Sequence, residues 1–209
     1  MQTDRREFLA GAVATSALAG PAAAAAPANA PGGRSYARNV DWIGYADLQG
    51  KQAAQMALHV ANGRYYLYTG SFHLGGWNVL EVTDPRKPRY LKWIEAPHSA
   101  GTWTMKVQAA DGLLLCFSGQ AVPFLRGNEW GDPFDNGVHI FDIATDPANP
   151  REIAVWRPQE NGGGTHRSFY NGGRYAHLSA SADGFEGLIY RILDLKDPTK
   201  PVEAGRWRP

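Results

Sequence analysis

A single cysteine, Cys116, stands in 209 residues, which excludes an intrachain disulfide framework and any cysteine-rich zinc site. An excess of one charge is also missing. Lysine and arginine number 21 against 20 aspartates and glutamates, a net charge of +1. Such a balance gives no electrostatic footprint for nucleic acid or an anionic membrane. No run reaches the roughly 20 apolar residues of a membrane span, so a mature chain with no transmembrane segment is expected. What the chain does have is 24 glycines, 14 prolines and an aromatic content of 11%, including seven tryptophans. Glycine and proline are the poorest helix formers, so a helical bundle is disfavoured. The mixture suits short apolar strands separated by turns, with ample material for a core.

The first thirty residues read as an address. Arg5-Arg6 precedes Phe8-Leu9 and a weakly apolar stretch to Gly20, followed by an alanine run ending near Ala30. A charged start, a short apolar middle and a small-residue cleavage zone describe a secretory signal. The paired arginines ahead of Phe-Leu resemble the twin-arginine export signal, although Ala10 stands where a basic residue is usual. An ordinary secretory signal or an uncleaved anchor are the alternatives. The resemblance implies passage through the twin-arginine export machinery in the folded state and a periplasmic or secreted location. The expected organisation is a signal at 1–30, an N-terminal segment at 31–50 with a lone strand over Val40–Tyr45, and a repeat region at 51–209.

The repeat region is built from a turn motif. Asp-Pro-x-x-Pro begins at Asp84, Asp146 and Asp197, with spacings of 62 and 51 residues. Each copy follows a strand-like run carrying an acid: Glu81, Asp142 or Asp194. Each leads into another run that ends in Trp93, Trp156 or Trp207. Upstream, Asn62-Gly63, Asp111-Gly112 and Asn171-Gly172 are hairpin turns between two further apolar runs. One unit therefore reads as four strands in about 50 residues, the pattern of a β-propeller blade. The expected fold is all-β, with three four-stranded blades over about 51–96, 97–158 and 159–209. Aligning Arg64, Leu113 and Arg174 pairs His177 with Leu67 and Cys116 and predicts a buried histidine. Cys116, inside an apolar run, is expected to be a buried and inert thiol.

The runs Val79-Leu80-Glu81-Val82-Thr83-Asp84-Pro85 and Ile192-Leu193-Asp194-Leu195-Lys196-Asp197-Pro198 resemble those of the LVIVD-repeat family of secreted or surface proteins. That resemblance implies a propeller and no settled activity. Propellers have four to eight blades, so three units are expected to form an incomplete ring. The sequence is read as the N-terminal part of a longer reading frame, with a half-propeller closed by dimerisation as the alternative.

Two groups of residues are candidates for function. His59, His98 and His166 lie at or before the start of the three units. In a propeller, equivalent inner-strand positions converge on the axis, where neutral imidazoles can bind a transition metal such as copper. Against this, the three are not at one repeat position and lack the close spacing of a ligand pair. A histidine-bearing channel is similar to that of the selenium-binding propellers, which include copper-dependent methanethiol oxidases, and would imply an oxidoreductase. The second group is the long loop interrupting the second unit, with Phe124, Arg126, Trp130 and Phe134 as a cover for the channel mouth or a surface for a protein or small-molecule ligand, and packing over a neighbouring blade as the alternative. A non-catalytic binding scaffold is the reading preferred over the metal enzyme. The recurrence of Glu81, Asp142 and Asp194 in every unit points to a structural role.

Overall fold

A computed structural model describes residues 39, 42–158 and 162–207. The signal segment and Val40 lie outside them. Residues 42–47 have no regular secondary structure, so no lone strand is seen over the described part of Val40–Tyr45. A short 3-10 turn at Leu48–Gly50 then leads into the repeats.

Three four-stranded antiparallel sheets follow one another along the chain. The first holds β1 (Met56–Ala61), β2 (Arg64–Thr69), β3 (Gly76–Glu81) and β4 (Arg89–Glu95). The second holds β5 (Thr102–Ala110), β6 (Leu113–Gln120), β7 (Gly137–Asp142) and β8 (Arg151–Trp156). The third holds β9 (Thr165–Phe169), β10 (Tyr175–Ala180), β11 (Ile189–Asp194) and β12 (Val202–Trp207). In each, neighbours in sequence are neighbours in the sheet, and β5 lies beside β1 and β9. These are propeller blades, three among the described residues.

The Asp-Pro turns form in the same way three times. Oδ1 of Asp84, Asp146 and Asp197 accepts from the backbone N–H two residues on, at 3.0 Å in each case. The carbonyl of the same aspartate accepts from the residue after that. Proline fixes its own φ inside the turn and has no N–H to offer a ladder, so strand three ends there. The recurring acids hold these corners. Asp142 accepts from the N–H groups of Ala144 and Thr145, Asp194 from that of Lys196, and Glu81 from the Thr83 hydroxyl.

Alternation along each strand sends side chains to two different neighbours. In β6, Leu114 and Cys116 pack on the first blade with Tyr66, Tyr68, Trp77 and Val79. Leu115 and Phe117 point the other way, against Ala176, Leu178 and Leu193 of the third. Cys116 is fully buried, and burial pushes its thiol well above the ordinary range, so it is a packing residue. Backbones also meet between blades. The Thr104 hydroxyl bonds the carbonyl of Gly76, and the Thr165 hydroxyl bonds those of Ser118 and Gly137. A Cβ on Gly119 would lie 2.4 Å from the carbonyl oxygen of Gly163, so only glycine admits this approach.

Sheet pairing corrects the expected place of His177. It stands opposite Ile192, as Tyr68 stands opposite Val79 and Leu115 opposite Ile140. It thus shares the face of Tyr68, and Gly173 is the extra residue that moved the arginine-based alignment by one. A one-residue slip exchanges the faces of a strand. On the third blade this face is open. His177 is half-exposed, its ring stacked on Tyr190 with Nδ1 2.6 Å from the phenol oxygen.

The covered and open faces of the blades should respond differently to substitution. Leu114→Ala, in the fully buried middle blade, should cost about 2–5 kcal/mol. Leu58→Ser, on the exposed face of β1, should stay within about 0.5 kcal/mol. Urea unfolding of both variants measures the difference, and equal losses would contradict the assignment of faces.

Candidate binding site

The three candidate histidines occupy different settings. His59 is half-buried in β1 opposite Tyr66, and burial lowers its pKa. His98 is exposed in the turn after β4, with a φ of 48°. His166 pairs with Ser179 near the start of β9, its ring 5.7 Å from that of Trp103. Burial, then the charges of Arg167 and Lys106, hold its pKa below the usual value. Among the described residues no three His, Cys, Asp or Glu side chains gather as a metal-ligand group, so these three histidines do not form one.

The long loop between β6 and β7 is a different case. It contains a four-residue helix, α1 (Pro123–Arg126), closed by Gly127 in the left-handed conformation. Phe124 is 85% exposed and Trp130 69% exposed, while Phe134 is half-buried. The Arg126 side chain lies outside the described residues. Two large apolar side chains therefore stand in solvent on one segment, at a cost in hydration that the fold itself does not require.

The end of the loop is held by a buried polar cluster. Asp135 accepts from the Ser118 hydroxyl at 3.0 Å and from Arg157 at 2.6 Å. Its N–H donates to the Thr102 hydroxyl at 2.9 Å. Asp135 Oδ2 lies 2.5 Å from Nε2 of His139, whose Nδ1 lies 2.8 Å from the Glu152 carboxylate. His139 is 1% exposed and packs beside Trp77, ring centroids 5.1 Å apart. Carboxylates are acceptors only, so a ring with one at each nitrogen must carry both protons. Burial pulls the imidazole down, but the hydrogen bonds and charges of Asp135 and Glu152 outweigh it and hold the pKa above 6.5. Burial likewise raises the Asp135 carboxyl, and His139 with Arg157 overcomes that and keeps it below 3.8.

His139 carries a sequence signal of its own. Asn78, His139 and Arg191 occupy one position of the third strand, each just before the register shift at Leu80, Phe141 or Leu193. All three are buried and polar. Each is bonded across to the fourth strand: Asn78 to Tyr90, His139 to Glu152 and Arg191 to Glu203. A polar residue recurring where a strand is otherwise apolar marks a satisfied internal pair. Each also reaches a segment outside the strands: Asn78 the Gln52 carbonyl, Arg191 the Ser181 carbonyl, and His139 Asp135 at the end of the long loop.

The cluster sets a pH dependence. A histidine raised in the fold adds stability that is complete below about pH 6.5 and is lost as pH rises through its folded pKa. The lowered Asp135 adds stability that is complete above about pH 3.8 and is lost as pH falls through its own folded value. Thermal unfolding should therefore be most favourable for the fold between these limits, with a decline on the alkaline side that His139→Gln removes. Asp135→Asn, which leaves Arg157 and His139 without their shared carboxylate, should cost about 3 kcal/mol. An unchanged alkaline limb in His139→Gln would contradict a charged imidazole.

No family model matches the chain, and no curated protein matches it. A solved structure described as Bacteroides ovatus Xyloglucan PUL GH43B is similar over 76% of this chain, at 16% identity and a TM-score of 0.28. The chain spans 42% of that structure's length. Among the described residues no helix is long and apolar enough to cross a membrane.

Proposed function

We propose that this chain is an exported propeller-repeat protein of the LVIVD type, acting as a binding scaffold outside the cytoplasmic membrane. The observation that carries the reading is the loop between β6 and β7, which exposes Phe124 and Trp130 while Asp135 at its end is bonded four ways. Binding anchors are typically large aromatic side chains that fill pockets on a partner. A loop fixed at its base places such anchors with little ordering cost on association. The sheets supply the frame, and the loop, interrupting a single repeat, supplies what the other two units lack. A protein partner fits two aromatic anchors displayed on a loop. Export rests on the Arg5-Arg6 signal, whose removal with residues 1–30 leaves a chain of balanced charge.

Two experiments test this reading. With Arg5 and Arg6 both changed to lysine, fractionation should find the protein retained in the cytoplasm; unchanged export would contradict the twin-arginine route. A photo-crosslinking amino acid at 124 or 130 in exporting cells should give a discrete adduct that a crosslinker at exposed Asp183 does not. An exported protein giving no adduct from either loop position would overturn the scaffold assignment.

A further inference from the structure

A cleft of about 710 Å³ opens between β8 of the second blade and β12 of the third, away from the loop aromatics in sequence and lined by different residues. Its size falls within the roughly 300–1,000 Å³ of small-molecule sites. The walls have two characters. Pro201, Val202 and Trp156 give an apolar side, and Arg157, Lys200 and Arg206 give cationic heads. Arg191 forms part of the wall, 3% exposed, with its guanidinium 4.8 Å from the Trp156 ring centroid. It donates to Glu203 and to the Ser181 carbonyl. Arg206 donates to the same Glu203 carboxylate at 2.6 Å.

The carboxylates are therefore shared. Glu203 serves two arginines, and Asp135 serves Arg157 as well as His139. Lys200 lies on the cleft wall, and its charge is felt by Asp197 of its own turn, whose Oδ1 accepts from the N–H and the hydroxyl of Thr199. Counting the wall's Arg157, Arg191, Lys200 and Arg206 against Glu203 and the adjoining Asp135 and Asp197 leaves a surplus of one positive charge among these described groups. The buried Arg191–Glu203 pair fixes the floor, so the cleft is largely preformed and its outer cations are half in solvent.

We infer that this cleft binds a small organic anion, its charged oxygens at Lys200 and the outer faces of Arg157 and Arg206 and its apolar body along Pro201 and Val202. Charge-assisted hydrogen bonds to guanidinium and ammonium are the strong class of polar contact. The apolar side excludes a bare inorganic ion as the best fit. A carboxylate and a phosphate monoester share this chemistry. None of the cleft's residues belongs to the segment carrying Phe124 and Trp130, although Arg157 also bonds Asp135 at the base of that loop.

The mature full-length chain should be titrated calorimetrically with phenylacetate, phenyl phosphate and the uncharged 2-phenylethanol at low salt. Saturable binding of one or both anions, with the alcohol at least tenfold weaker, is expected. The stronger anion identifies the head group. Lys200→Gln should weaken binding about tenfold and Val202→Glu should abolish it. Both positions are exposed, and circular dichroism and the melting temperature report whether each variant is folded. Crosslinking from position 124 should be unaffected in Lys200→Gln. Absence of saturable anion binding, equal binding of the alcohol, or unchanged affinity in both folded variants would overturn the assignment while leaving the loop proposal standing.

Discussion

The middle blade is covered on both faces, and the two-residue period of a strand decides which neighbour receives each side chain. Leu114 and Cys116 belong to one interface, Leu115 and Phe117 to the other, although they are consecutive in one strand. That constraint explains why β6 is apolar without alternation, while β1 and β12, each on a less enclosed sheet edge, alternate with exposed positions. It also explains why the polar residues at one position of the third strand come in bonded pairs. A single unpaired donor at the position of Asn78, His139 or Arg191 would forfeit its hydration with nothing in return.

The same three positions show how a repeat acquires distinct properties without changing its backbone. Asparagine with tyrosine, histidine with glutamate and arginine with glutamate all close the gap between strands three and four. The neutral pair in the first blade also holds the Gln52 carbonyl ahead of β1. The histidine in the second couples the blade to Asp135 and so to a loop. The arginine in the third forms the floor of a cationic cleft. Function is thus added at side chains whose structural duty is already met, and the cores on either side stay apolar.

Much of the fold could be read from the chain because turn chemistry is local. Asp-Pro-x-x-Pro and Asn/Asp-Gly fix one end of each strand within a few residues, for the twelve strands among the described residues. Long-range register was harder. Gly173 adds one residue after a turn, and that residue decides whether His177 lies inside or outside. The exposure of Phe124 and Trp130 follows from the loop's length and its interruption of one repeat, both visible in the sequence. His139, the hub of the loop anchor, was not seen as such. Its partners lie 4 and 13 residues away on different elements, and only pairing of β7 with β8 brings Glu152 to it. Histidines chosen for their place near unit starts belong to no group of three potential metal ligands among the described residues, and they do not share one repeat position.

The charge state of His139 is the most direct test of this account, because a ring held between two carboxylates is what ties the loop to the blade. Nitrogen-15 spectra of histidine-labelled protein, assigned with His139→Gln, report both ring nitrogens. A ring held between two carboxylates should carry protons on both Nδ1 and Nε2 below its midpoint, and that midpoint should lie above 6.5. A midpoint below 6.5 would contradict the account.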